Sequence, residues 1–293
     1  MEIDLQPGKY VVAVSGGVDS MVLLDLLRQK PALELIVAHF DHGMRDDSAT
    51  DRLLVQQVAK SYGLPYDFAE GKLGANASEA TARQARYAYL RQIMKEHDAS
   101  AIITAHHQDD LLETAILNLL RGTGRKGLSS LRSTAEIKRP LLKTSKAQIT
   151  EYAEKNQLQW HEDSTNQDES YLRNYVRLRL LPRLATAEKN QLLDIITKAA
   201  QTNQQLDNEL SHLLPLTVGS LPRKEIIAMS HAEARELMAA WLRSHGIRDF
   251  DRITLERLVV AAKTAMPGKR VDVLRRTSMY IGRENLALEH IER

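Results

Sequence analysis

Residues 15–20 read Ser15-Gly-Gly-Val-Asp-Ser20, directly behind the β-branched run Tyr10-Val-Val-Ala-Val14 and ahead of an apolar helical stretch at 21–29. A strand, a glycine turn and a helix in that order make an anion site. Glycines let the backbone approach a phosphate and take positive φ, and a helix N-terminus supplies N–H groups and a favourable dipole. Ser15 and Ser20 add hydroxyls, and Asp19 is placed to hold a Mg2+ ion or to organise the turn. The same residue types also suit an ordinary turn capped by Ser and Asp. Two glycines framed by two serines and an acid favour the phosphate. No Gly-x-x-x-x-Gly-Lys-Ser/Thr occurs, so γ-phosphate transfer of that class has no support. The one Gly-x-Gly-x-x-Gly, at Gly122, Gly124 and Gly127, follows a predicted helix instead of a strand and fails as a dinucleotide fingerprint.

A second group of chemical residues is His39, His42, His106 and His107 with Asp41, Asp109 and Asp110. By type alone these suit a zinc hydrolase. None of the histidine pairs has the HExxH spacing, however, and zinc would leave the glycine loop unexplained. Histidines at strand ends beside a nucleotide line its pocket or steady its phosphates. With no cysteine in the chain, disulfides, thiolate metal sites, iron–sulfur clusters and Cys nucleophiles are excluded.

The elements that must position these residues alternate. Strands are predicted at 10–14, 35–40, 65–68 and 101–105, and helices at 21–29, 51–62, 78–97 and 109–120. Such alternation with short connections predicts a parallel sheet covered on both faces, with ligands beyond the carboxyl ends of its strands. Every polar cluster above falls there. After about residue 184 the character changes. Residues 187–214 form one amphipathic helical stretch rich in Gln and Asn, followed by a smaller α/β unit with helices at 231–244 and 254–262 and strands at 270–274 and 279–282.

A chain of 293 residues exceeds what one core usually supports. The expected domains are 1–185 (catalytic), 186–215 (linking helix) and 216–293 (small C-terminal domain). Forty basic against 38 acidic residues leave a net charge of +2, which is no global footprint for nucleic acid. The basic residues are unevenly placed: residues 121–143 hold seven against the single acid Glu136, and residues 171–183 hold four arginines and no acid. A solvated face and a polyanion surface both fit such runs; their position on either side of the expected site favours the second. No uncharged apolar run reaches about 18 residues, so no spanning helix is expected. The acidic start lacks the pattern of a secretory signal, and the expected location is cytoplasmic.

Ser15-Gly-Gly-Val-Asp-Ser20 resembles the SGGxDS motif of the PP-loop ATP pyrophosphatases. Further on come His39-Phe-Asp-His-Gly-Met-Arg45, Thr104-Ala-His-His-Gln-Asp-Asp-Leu-Leu-Glu-Thr114, Asn118-Leu-Leu-Arg-Gly-Thr-Gly124, Arg139-Pro-Leu-Leu142, Asp163-Ser-Thr-Asn166 and Arg173-Asn-Tyr-Val-Arg177. In that order they are similar to the motifs of the tRNA(Ile)-lysidine synthetases, over roughly residues 10–185. The resemblance implies a Rossmann-like PP-loop domain, followed here by the linking helix and the small α/β domain. The family's longer members carry two such small domains. It also implies a reaction: ATP-dependent attachment of free lysine to C2 of the wobble cytidine of a tRNA(Ile) with a CAU anticodon, through an adenylated tRNA, releasing pyrophosphate and AMP. A PP-loop ligase or amidotransferase acting on another acceptor is the alternative. A PP-loop thiolase would need the cysteines this chain lacks, and a non-catalytic RNA-binding module would leave the glycine loop without purpose.

Under that resemblance the residues take roles. Ser15, Gly16, Gly17, Val18, Asp19 and Ser20 would bind ATP, with His39, His106, Arg121 and Gly122 bordering it and Asp19 meeting its Mg2+. On the helix starting near Asp109, Asp110 and Glu113 are three apart and share a face, and eleven residues at 100° each bring Arg121 round to Asp110's direction. Two carboxylates and an arginine suit free lysine by charge-assisted hydrogen bonds, and one carboxylate would take a proton from the attacking amine. Acids at a helix N-terminus also suit the dipole alone. Asp19, Asp110, Glu113 and Arg177 are the expected catalytic residues. Arg86, Arg173 and Arg177 are expected to bind lysine or phosphate, and Arg125 and Lys126 the tRNA backbone. The expected partners are this tRNA, free lysine and, for assembly, a second copy of the chain, with no membrane.

Overall fold

The computed structural model describes residues 1, 3–43, 48–71, 79–123, 125–161, 171–213, 219–247, 250–274 and 277–290. By compactness the chain forms two units, Met1–Arg121 with Ser129–Ile196, and Gly122–Leu128 with Thr197–Arg293.

The first unit alternates strand and helix from its start: β1 (Gly8–Ala13), α1 (Val18–Arg28), β2 (Leu33–Asp41), α2 (Ser48–Ser61), β3 (Tyr66–Glu70), α3 (Glu79–Glu96), β4 (Ala101–Ile103) and α4 (Gln108–Leu120). After the short α5 (Arg125–Leu128), which falls in the second unit, come β5 (Ile137–Lys138), α6 (Lys146–Lys155) and α7 (Leu172–Tyr175). A π-helical turn follows at Val176–Leu180. The five strands form one parallel sheet in the order β3-β2-β1-β4-β5. Strands buried on both faces read as continuous apolar runs, which is why residues 10–14 and 101–103 carry no polar alternation. Val12 is fully buried between Val37 on β2 and Ile103 on β4.

The strand order decides where a ligand can go. The chain winds from β1 outward through β2 and β3, then returns to the other side of β1 for β4 and β5. The loops leaving β1 and β4 therefore diverge and open a crevice at their carboxyl ends. The Ser15–Ser20 turn and the Thr104–His107 turn are those two loops.

The long helix α8 (Thr186–Leu213) is unbroken. Its buried Ile196 belongs to the first unit, and Leu210 packs on the core of the second. The second unit continues with β6 (Ser220–Pro222), α9 (Arg223–Ala228), α10 (His231–Ser244), α11 (Arg252–Thr264), β7 (Lys269–Leu274), β8 (Thr277–Ile281) and β9 (Asn285–His290). Its sheet is antiparallel, in the order β6-β9-β8-β7, over a core that includes Trp241, Ile226, Leu258 and Met279. Among the described residues no helix is long and apolar enough to cross a membrane.

Candidate active site

At the crevice between β1 and β4 lies a cleft of about 480 Å³, walled by the Ser15–Ser20 turn, the ends of β2 and β4, and Ala82, Arg86 and Leu90 of α3. The turn is held by its serines. The Ser20 hydroxyl donates to the Gly17 carbonyl at 2.8 Å and accepts from the Ser15 N–H at 3.2 Å. Since its one proton is committed, Ser15 is the donor in the 3.2 Å contact between the two hydroxyls. Gly16 sits at φ +94°, open only to glycine without strain. Gly17 caps α1 in extended geometry, its own N–H donating to Ser15 Oγ at 3.4 Å, and among the described residues no side-chain cap bond closes the start of the helix. A helix start left without a side-chain acceptor and facing a cleft is the arrangement that takes a phosphate. Behind the turn, His161 donates its backbone N–H to the Gly16 carbonyl at 3.1 Å, and its Nδ1 lies 2.8 Å from Asp51.

The four histidines have separate tasks. His39, buried at the end of β2, donates Nδ1–H to the Val14 carbonyl at 2.9 Å. Burial pushes its pKa down, so it stays neutral. The His106 ring bonds the Thr104 hydroxyl at 2.8 Å. It is held well below the usual range by burial and then by Arg139, Arg86, Arg83 and Arg173. His42 lies edge-on to Phe40. His107 caps α4: its ring accepts from the Asp109 N–H, while Asp110 accepts from the His107 N–H at 2.9 Å.

Two ion-pair systems meet at the cleft. In the first, the Lys146 ammonium sits 2.6 Å from Asp19 and the His107 Nε2 3.7 Å from the same carboxylate. In the second, Glu113 is fully buried on α4, and Arg177 donates to both its oxygens, at 2.7 and 3.0 Å. Arg173 lies 3.5 Å from Glu113, and Arg177 lies 3.7 Å from Asp110. Burial raises the Glu113 pKa while the bonds from Arg177 oppose the rise. Arg177 belongs to the π-helical turn, a distortion often found where a side chain must be re-aimed at a site.

The sequence profile of the PP-loop domain matches residues 2–184, most of the chain. The chain belongs to the PP-loop domain family. Among curated relatives, this PP-loop chain is 34% identical over 280 residues to the tRNA(Ile)-lysidine synthase of Exiguobacterium sibiricum, covering 92% of this chain and 66% of that protein. It is 39% identical over 189 residues to the tRNA(Ile)-lysidine synthase of Thermotoga maritima, covering 61% of this chain and 46% of that protein. The chain thus spans between about half and two thirds of these relatives' lengths. Among solved structures, the U34-tRNA thiolase NcsA of Methanococcus maripaludis aligns at a TM-score of 0.48 and 17% identity, over 69% of this chain and 73% of that one.

Of the residues expected at the site, Ser15, Gly17, Asp19, Ser20, His39, Arg86, His106 and Asp110 line the PP-loop cleft. Gly16 and Val18 shape the loop from behind and at the start of α1. The buried Glu113 and the half-buried Arg173 and Arg177 form a network next to Asp110. Arg121 is not with them. Eleven residues restore a helical direction but also advance about 16 Å along the axis, so Arg121, exposed as the C-cap of α4, stands at the far end from Asp110. Gly122, Arg125 and Lys126 fall in the second unit, where Lys126 pairs with Asp207 at 2.7 Å. The basic run at 121–143 is not one solvated face either, since Arg139 is buried. Residues 163–166 lie outside the described residues. Sequence reasoning passed over Lys146, Asp51 and His161. A signal for Lys146 was present: Ser145 and Gln148 make a capping box, which places Lys146 at the first position of a helix.

Proposed function

We propose that this PP-loop chain is an ATP-dependent enzyme that joins lysine to C2 of the wobble cytidine in a tRNA(Ile) with a CAU anticodon, by way of an adenylated tRNA. The observation that carries the reading is one cleft with an uncapped PP-loop on one wall and Asp110, beside the Glu113–Arg177 pair, on another. The named relatives support the choice of acceptor.

ATP as substrate supplies the activating group. The Ser15–Ser20 turn and the start of α1 bind its phosphates, and Asp19 is the residue that would hold the accompanying Mg2+, with a hard carboxylate oxygen as donor. Lys146, beside Asp19, compensates charge as the α–β phosphate bond breaks and the cytidine O2 takes the adenylyl group. His39 and His106, both neutral, add no positive charge and serve as hydrogen-bonding walls. Asp110 holds the lysine ε-amine and accepts its proton as the nitrogen bonds to C2 and the C2–O2 bond breaks, releasing AMP. Glu113, locked between two arginines, fixes Arg177 next to that event.

The test is incorporation of labelled lysine into unmodified tRNA(Ile) with a CAU anticodon, with pyrophosphate release followed in parallel and the methionine tRNA of the same anticodon as control. Lysine entering the isoleucine tRNA alone is expected. Pyrophosphate release with no lysine incorporated would move the reading to a PP-loop ligase with another acceptor, and the absence of both would overturn it.

A further inference from the structure

The stretch 171–183 has an inner and an outer side. Asn174, Val176 and Leu181 are buried, and Arg173 and Arg177 turn toward Glu113. The outer side presents Tyr171, 58% exposed, and Tyr175, 41% exposed, together with Arg179 and Arg183. The two tyrosines stand one helical turn apart, because the Tyr175 N–H bonds the Tyr171 carbonyl at 3.0 Å. Leu172 and Leu178 are exposed beside them, and no acid occurs from 171 to 183.

Exposed aromatic rings in series, edged by arginines, have a defined use. Unpaired bases stack on such rings whatever their identity, while the guanidinium groups track the phosphates. A protein partner would more often meet apolar side chains with charges of both signs at the rim. Within residues 171–183 the only charges that accompany the rings are positive. The platform shares its helical segment with Arg177, whose guanidinium, on the other side of that segment, lies 3.7 Å from Asp110 of the cleft.

We propose that Tyr171 and Tyr175 form a stacking platform for unpaired bases of an RNA loop, with Arg179 and Arg183 on its phosphates, placing one base of that loop at the cleft. This rests on the tRNA reading above. It extends that reading by naming the surface that holds the unpaired strand.

The experiment measures the affinity of the full chain for two RNAs at fixed salt: tRNA(Ile) with a CAU anticodon, and an unrelated hairpin with a seven-nucleotide loop. Wild type is compared with Tyr171→Ala/Tyr175→Ala and with Tyr171→Phe/Tyr175→Phe. Both side chains are exposed, so neither change removes core. The Ala pair is expected to weaken binding of both RNAs at least tenfold, with the Phe pair close to wild type. Equal binding by wild type and the Ala pair would overturn the platform and leave the tRNA reading standing. Loss in the Phe pair as severe as in the Ala pair would also overturn it, since hydroxyl contacts and not stacking would then be at work. Tyrosine-dependent binding of the hairpin by a chain that ignores the tRNA would support the platform and sink the tRNA reading.

Discussion

The Lys146 ammonium lies 2.6 Å from the Asp19 carboxylate, although 127 residues separate them. Both side chains keep substantial solvent contact, so the pair contributes only about 0–1 kcal/mol to stability. Its value lies in placing a cation at the mouth of the phosphate loop. Lys146→Met is expected to leave the melting temperature nearly unchanged while lowering kcat/KM for ATP roughly 100-fold, the usual loss when one charge-stabilising donor is removed. Steady-state pyrophosphate release checks this. A variant within threefold of wild type would show that Lys146 only screens Asp19.

Glu113 and Arg177 make the opposite case, a pair that is buried on the carboxylate side. Removing Arg177 takes two hydrogen bonds from the fully buried Glu113 carboxylate, which costs about 3 kcal/mol. Arg177→Met should therefore unfold at clearly lower denaturant than wild type. In Glu113→Gln/Arg177→Met the buried carboxylate charge is gone together with its partner, and most of that stability should return while activity does not. Urea melts of the two variants beside wild type test it. Recovery of activity together with stability would remove Arg177 from the catalytic machinery.

Much of this was legible from the sequence because it is local. The Ser15–Ser20 turn, the strand that precedes it and the helix that follows are contiguous, and α10 runs His231–Ser244 as its apolar periodicity predicts. What escaped depends on long-range placement. β5 is only two residues long and β6 three, too short for alternation to show. The pairing of Lys146 with Asp19, and of His161 with Asp51, arises only once α6 and the segment before residue 162 return to the loop after β1. Arg121 illustrates the converse error. Angular periodicity gives direction on a helix and not proximity, since the rise over eleven residues carries Arg121 to the far end of α4 from Asp110.

Acid should destabilise the fold through its two cleft histidines. His39 and His106 both have folded pKa values below the ordinary one, the first chiefly through burial, the second through burial and then the surrounding arginines. The unfolded chain takes up their protons as pH falls through about 6.5, while the folded chain does not. The unfolded state then binds more protons, so their stabilisation is complete above pH 6.5 and is lost as pH drops toward the folded values. The melting temperature of wild type is expected to fall between pH 7.5 and 5.5, and His106→Gln should show a shallower fall. Glu113, with a raised pKa, carries the opposite sign. The comparison between proteins at each pH therefore isolates the histidine. Identical slopes in wild type and variant would mean that His106 takes up its proton without loss of the fold.

The two glycines of the loop separate backbone strain from ligand space. At Gly16, with φ +94° and a Cβ position 3.4 Å from that of Asp51, alanine is strained whatever fills the cleft. Gly16→Ala should cost on the order of 1–3 kcal/mol, lowering the melting temperature by roughly 2–4 °C per kcal/mol. Gly17 is different: its φ is −76°, and among the described residues the nearest atom to an added Cβ is Ser15 Oγ at 3.6 Å. Gly17→Ala should melt within about 1 °C of wild type, since no mechanism for a large loss operates there. Gly17 nonetheless lines the cleft at the start of α1, where the methyl group occupies space a phosphate needs. The KM for ATP is therefore expected to rise about tenfold or more in a protein of unchanged stability, the loss corresponding to about 1.4 kcal/mol of binding. Thermal melts and ATP titrations on the same two preparations decide it, and a Gly17→Ala enzyme with the wild-type KM would place the phosphates away from the start of α1.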